Sequence, residues 1–317
     1  MTTASAPPAS VPPAASSLAS RAGLIARDIK LAHSVFALPF AVFGAFLSKT
    51  SDGAWGRFAG QLIVVVVCMV CARTWAMLFN RIADRGIDAR NPRTARRALA
   101  SGALSVSQGW AAALLAAGLF IGATSLFWVF FGNRWPLILS VPVLAWIGFY
   151  SLTKRFTFLC HVFLGGALGA SPIAAAIAVN PSSIIWPPTV PSILCIALMV
   201  LLWVAGFDVI YALQDLEFDR GAGLSSIPAR LGVRGAVWMS RALHFFAFLF
   251  LIGAGVMDGR LSYLYGVGVA CVGALLITEH VVLAKRGKAG LDMAFFTLNG
   301  IVSCVLGIAG CLDTVIN

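Results

Sequence analysis

An all-helical membrane bundle with about nine transmembrane helices follows from three features of this chain. Only 11% of its 317 residues are charged, whereas a soluble domain carries about 25%, so the charges cannot cover a water-facing surface of this size. The chain is 60% hydrophobic with a mean hydropathy of +0.91. Its apolar residues also gather into runs of membrane-spanning length, which is about 20 residues for an α-helix.

Residues 1–20, MTTASAPPASVPPAASSLAS, come first. They hold no basic n-region, no apolar h-region and no Arg enrichment, so they are neither a signal nor a transit peptide. Their Ala, Pro and Ser predict a disordered tail. Residues 21–317 are expected to form a single transmembrane domain. Spans are predicted over about 31–48, 60–80, 109–131, 136–152, 158–179, 191–213, 240–257, 262–284 and 295–315. Pro39, Pro142 and Pro172 fall inside spans, where neighbouring helices can re-satisfy the freed backbone groups. His33 reads as a packed histidine near the start of the first span, and His161, His244 and His280 show no metal-ligand spacing. The seven cysteines lie mostly in apolar runs. Cys68-x-x-Cys71 sits within a span and outside any βαβ context, so these are small packing residues rather than a redox pair.

The basic residues sort by face. The tail and alternate loops hold Arg21, Arg27 and Lys30; Arg81, Arg85, Arg90, Arg93, Arg96 and Arg97; Lys154 and Arg155; Arg220, Arg230, Arg234 and Arg241; and Lys285, Arg286 and Lys288. Lys49, Arg57, Arg134 and Arg260 fall on the other face, and Arg73 lies within the second span. The positive-inside rule places the tail and the basic loops in the cytoplasm, in a bacterial-type inner membrane, with Asn317 on the far side. Topology and anionic headgroups then account for much of the net charge of +11 without nucleic acid. The partners expected are membrane lipid and an anionic small molecule, with no obligate protein partner.

The acidic residues are more selective. Of only 12, Asp84 and Asp88 follow the second span, and Asp208, Asp215, Glu217 and Asp219 end the sixth. The first segment reads Asn80-x3-Asp84-x3-Asp88 and the second Asp208-x2-Tyr211-x3-Asp215-x3-Asp219. On continuous helices these spacings make two polar stripes, because residues three or four apart share a face. Stacked carboxylates repel, so a cation is expected between them. Solvated helix ends paired with Arg81, Arg85, Arg90 and Arg220 would satisfy the charges without any function. Two matched stripes, one starting inside a span at Asp208, favour a site, since intramembrane carboxylates are costly. Hard Mg²⁺ takes oxygen ligands from one or two carboxylates together with substrate phosphates. Lys154, Arg155, Arg93 and Arg230 are candidate contacts for a diphosphate. Arg73, about two turns inside its span, is a candidate partner for an aspartate or for a carboxylated acceptor.

NxxxDxxxD after the second span with DxxYxxxDxxxD after the sixth resembles the UbiA-type superfamily of intramembrane aromatic prenyltransferases. The segments DIKLAHSVFALPFAVFGAFL (28–47), RTWAMLFNRIADRGIDARNPRTARRAL (73–99), YSLTKRFT (150–157) and GFDVIYALQDLEFDRGAGLSSIPARLG (206–232) support the resemblance. It is nearest to the 4-hydroxybenzoate polyprenyltransferase branch and its relatives in the futalosine route to menaquinone. Many members read Asn-Asp where this chain reads Asn80-Arg81, which points to a subbranch.

The resemblance implies Mg²⁺-dependent transfer of a polyprenyl group from polyprenyl diphosphate to a ring carbon of an aromatic acid, 4-hydroxybenzoate or 1,4-dihydroxy-6-naphthoate, in ubiquinone or menaquinone biosynthesis. It implies a bundle around a central cavity, capped by the two cytoplasmic motif loops. It implies Asn80, Asp84, Asp88, Asp215 and Asp219 as metal residues, Asp208 and Tyr211 in the second motif, and Lys154 on the diphosphate. Among the apolar residues, Phe36, Phe40, Phe149, Trp203 and Phe207 are candidates to flank an allylic cation. A secondary transporter would also combine internal repeats with intramembrane carboxylates, but near the midplane. A head-group phosphotransferase would need an Asp-Gly that does not follow Asp84 or Asp88.

Overall fold

The computed structural model describes residue 23 and residues 36–50, 54–185, 189–291 and 293–317. The Ala/Pro/Ser-rich tail, Arg21, Arg27, Lys30, His33 and the beginning of the first expected span lie outside these residues. Among the described residues there is no strand. Among them, eight helices are long and apolar enough to cross a membrane, and Leu38–Ser48 adds a shorter apolar helix.

In chain order the bundle helices are α1 (Leu38–Ser48), α2 (Trp55–Ala83), α4 (Val106–Phe131), α5 (Trp135–Thr153), α6 (Cys160–Val179), α7 (Thr189–Tyr211), α9 (Ile227–Met257), α10 (Tyr263–Arg286) and α11 (Asn299–Ile316). Two short helices at one end, α3 (Arg85–Arg90) and α8 (Leu216–Gly221), belong to the two Asp-rich segments. Eight of the nine expected spans therefore each correspond to a helix of spanning length, and the first coincides in part with the shorter α1. The largest shift in bounds is at α9, which begins well before residue 240. Its first turns run through the connecting segment and then break at Gly232, whose φ of 70° and ψ of −177° suit only glycine.

Local sequence sets several ends. Ser105 and Gln108 cap α4 reciprocally, Gly132 closes it in the left-handed region, and Ser226 accepts from the Ala229 N–H to start α9. Consecutive long helices pack side by side, and α11 returns to α1, so the bundle is a closed ring in chain order. α1 also packs against α6, and α2 against α5. Lipid is as apolar as the helices, so close packing must hold them together. One such seam is α6 against α7: a methyl added to Gly165 would fall on the Leu201 carbonyl oxygen, and one on Gly169 on that of Ala197.

The buried core gathers around α1, α7 and α9, with Phe40, Phe43, Trp203 and Leu251 at most 1% exposed. Phe40 and Trp203 pack edge-to-face at 5.5 Å within it. Large apolar side chains such as Leu114, Leu115, Val129 and Ile277 point outward. Trp55, Trp128, Trp135 and Tyr263 are exposed near the end opposite the Asp-rich segments, as an interfacial aromatic belt requires.

Candidate active site

A cavity of about 570 Å³ opens among α2, α4, α5, α6 and α7. Its deeper wall is apolar, with Val65, Phe120, Phe127 and Leu139, and its polar wall gathers at the end that carries both Asp-rich segments.

Neither segment forms one continuous helical stripe, which corrects the expectation from spacing. The first breaks at Asp84 (φ −89°, ψ 3°), where α2 ends and α3 begins. Asn80 and Asp84 stay together: Asn80 Nδ2 donates to Asp84 Oδ2 at 2.9 Å, and both line the cavity. Asp88 is carried past the turn and does not line the cavity. It is buried, and Arg97 Nη1 donates to both its oxygens at 2.8 Å. Arg81, the departure from the motif, is buried and donates to Asn80 Oδ1 at 2.9 Å, so it orients the amide.

The second segment leaves α7 at Tyr211, passes through a tight turn over Ala212–Asp215 and re-forms as α8. Asp208, Tyr211 and Asp215 line the cavity, and Asp219 lies behind them, fully buried. Asp215 accepts from Arg93 Nε at 2.8 Å and from Asn91 Nδ2 at 2.9 Å. Asp219 pairs with Lys154 Nζ at 2.8 Å, and Asp84 with Arg155 at 2.8 Å. The cations that neutralise the segments are thus Arg93, Arg97, Lys154 and Arg155. Arg90 and Arg220, expected as partners, bond backbone carbonyls instead.

Three of these pairs are cross-links. Arg93 leaves the first segment's loop to hold the second segment. Lys154 and Arg155, adjacent at the end of α5, hold one segment each. The charges show it. Burial pushes the Asp84 carboxyl above its ordinary value, with Asp88 adding to it against the pull of Arg155. Burial alone would lower Arg93 and Lys154, but bonding to Asp215 and Asp219 respectively outweighs it and raises both.

Arg73 also lines the cavity, in company with Tyr150, and its buried Nε has no hydrogen-bond partner among the described residues. Arg155 and Arg230 do not line it. Arg230 is exposed and stacks over the Phe158 ring at 4.1 Å. Of the aromatic candidates, Phe36 and Phe207 border the cavity, whereas Phe149 is on the outer surface and Phe40 and Trp203 are in the core.

Sequence reasoning passed over His161. It is buried in the first turn of α6, borders the cavity, and its Nδ1 lies 2.7 Å from Asp208 Oδ2. The available signal was a histidine within an apolar span. Asn91, Arg97 and Tyr150 were also missed as site residues.

Among the described residues, no three His, Cys, Asp or Glu side chains are already grouped to hold a metal. The donor chemistry nonetheless suits Mg²⁺: Asn80, Asp84 and Asp215 offer hard oxygen atoms to one cavity from the two Asp-rich segments. Asp84 pairs with Arg155 and Asp215 with Arg93.

Comparisons with known proteins agree with this architecture. The UbiA prenyltransferase family model matches residues 37–301. The 4-hydroxybenzoate octaprenyltransferase of Nitrosomonas eutropha is 31% identical over 257 residues, covering 80% of this chain and 84% of its own. The protoheme IX farnesyltransferase 1 of Paramagnetospirillum magneticum is 26% identical over 261 residues, with the same two coverages of 80% and 84%. An apo UbiA homolog from Aeropyrum pernix K1 superposes with a TM-score of 0.77 at 34% identity, over 89% of this chain and 98% of its own. A UbiA homolog from Archaeoglobus fulgidus bound to GPP and Mg²⁺ shares the fold, with a TM-score of 0.64 at 15% identity over 92% and 99% of the two chains. Fold, paired segments and sequence together make this chain a member of the UbiA prenyltransferase family.

Proposed function

We propose that the protein transfers a polyprenyl group from polyprenyl diphosphate to a ring carbon of an aromatic acid, with 4-hydroxybenzoate as the acceptor and Mg²⁺ as cofactor. One observation carries the reading: both Asp-rich segments and their cations meet at one end of a cavity whose remainder is apolar. That is the division of surface a diphosphate with an isoprenoid tail requires. The names of the 4-hydroxybenzoate octaprenyltransferases, about a third identical to this chain, support the acceptor.

Mg²⁺ held by Asn80, Asp84 and Asp215 would neutralise the diphosphate and make it a better leaving group. Asp88 and Asp219 are assigned a supporting role, fixing Arg97 and Lys154 at the site's edge. Arg93 and Lys154 turn from their carboxylates to the phosphate oxygens, where their charge stabilises the departing anion. Phe36 and Phe207 present ring faces to the allylic cation. Arg73 receives the acceptor's carboxylate, and Asp208 takes the ring proton. Tyr211, 3.4 Å from Arg93 Nη1, steadies that guanidinium. Arg155 closes the rim, and Arg230 serves topology rather than substrate. The Arg- and Lys-rich loops at this end support a cytoplasmic site.

Membranes containing the protein, incubated with Mg²⁺ and geranyl or farnesyl diphosphate, should yield prenylated 4-hydroxybenzoate by mass spectrometry, and EDTA should stop it. Asp84→Ala and Asp215→Ala should each abolish turnover while the bundle stays folded. Product from 1,4-dihydroxy-6-naphthoate or protoheme alone would reassign the acceptor. Uptake of labelled substrate with no product from any acceptor would overturn the enzyme reading in favour of transport.

A further inference from the structure

Asp208 does not stand alone in the cavity wall. His161, from the first turn of α6, reaches across to α7 and places Nδ1 at 2.7 Å from Asp208 Oδ2. The other ring nitrogen is also engaged: the backbone N–H of Ile227 points at His161 Nε2 at 3.4 Å. A backbone N–H can only donate, so Nε2 must accept. Nδ1 is left to donate its proton to Asp208 Oδ2. Ile227 is a firm anchor. It is the first residue of α9, 1% exposed, and fixed there by the Ser226 cap and by Pro228 in the first turn. The His161 side chain is only 4% exposed, so the imidazole cannot swing away, whereas Asp208 keeps 23% of its side chain open.

We propose that His161 is the positioning residue of the proton-removal step: it commits one oxygen of Asp208 to its own N–H and leaves the other to face the acceptor ring. This rests on the prenyl-transfer reading above. The allylic C–O bond breaks and its electron pair leaves with the diphosphate. A ring π pair forms the new C–C bond. The proton on that ring carbon passes to the free Asp208 oxygen, and the C–H pair restores aromaticity. The released diphosphate then takes the proton from Asp208. His161 keeps its own proton throughout and serves by orientation. Without it, Asp208 would be free to rotate toward the cationic side chains that line the same cavity, Arg73, Arg81, Arg93, Arg97 and Lys154.

His161→Ala, His161→Asn and the parent protein are compared with 4-hydroxybenzoate carrying hydrogen or deuterium on the ring carbons next to the hydroxyl-bearing carbon. An asparagine amide can place an N–H near the position of Nδ1, so it is the conservative variant. The expected result for His161→Ala is a kcat lowered by about 100-fold, the scale of a lost general base. A primary deuterium isotope effect absent from the parent should appear with it, because proton removal has become the slow step. KM for the prenyl diphosphate should stay within about twofold, and His161→Asn should recover most of kcat and suppress the isotope effect. Diphosphate binding by calorimetry and thermal unfolding in detergent establish that each variant is folded. A parent-like His161→Ala overturns the proposal. So does a loss of activity with no isotope effect and no rescue by asparagine, which marks His161 as structural only. If the parent itself prenylates no aromatic acceptor, the functional reading falls and this one with it. A parent that works while His161→Ala is unaffected sinks this one alone.

Discussion

Arg73 carries its charge well inside a membrane-spanning helix, with one guanidinium nitrogen buried and without a partner among the described residues. A carboxylate delivered to the cavity would supply that partner. Charge-assisted hydrogen bonds contribute about 1.5–3 kcal/mol, which corresponds to about 10- to 150-fold in affinity. Arg73→Leu should therefore raise KM for the acceptor by about that factor and leave KM for the prenyl diphosphate unchanged; steady-state kinetics with each substrate varied separates the two. An equal rise in both constants would place Arg73 on the diphosphate instead. Arg81 plays a different part. The substitution that departs from the family pattern points its guanidinium at Asn80 Oδ1, and a one-letter reading could register the change of charge but not where the charge is directed.

At the scale of the helices, much was legible because membrane spans are written in composition and length. All nine expected spans have helices, and the pairing of Asp84 with Asp215 as members of one site needed only the repeated spacing. What was not legible is where each helix stops. A four-residue spacing looks the same on a straight helix as across the break at Asp84 or the tight turn over Ala212–Asp215. For that reason Asp88 and Asp219, which fit the pattern as well as their neighbours, sit behind the cavity wall. The ion-pair partners were hidden too, since Lys154 and Arg93 are distant in sequence from the carboxylates they meet. The α6–α7 seam offers a sharp test of packing. Gly165→Ala should lower stability by about 1–3 kcal/mol, as overpacking does, and reduce the temperature of unfolding in detergent. Gly122→Ala, with open space around the added methyl, should leave it unchanged.

Across the whole molecule, the ion pairs bind the two halves of the bundle at the active-site end. Each segment's carboxylates already hold cations, so Mg²⁺ by itself must displace Arg93 or Arg155, whereas a diphosphate gives those cations a new partner. Metal and diphosphate should therefore bind synergistically. Calorimetric titration of the protein with Mn²⁺ should show affinity at least about tenfold higher with pyrophosphate present than without, a coupling of about 1.4 kcal/mol. Arg93→Ala should tighten Mn²⁺ binding in the absence of pyrophosphate and weaken the coupling. Independent binding of the two ligands would show that the pairs impose no such linkage.

The closed ring also has a history in time. As the chain leaves the ribosome, α1 emerges well before α6 and long before α11, the two helices it leans on. Until the last helix threads into the bilayer, the flank of α1 facing α11 is left to lipid. Final assembly is thus a docking of the chain's last helix onto its first. A chain halted after α10 should insert its helices in the right order and still lack a sealed barrel.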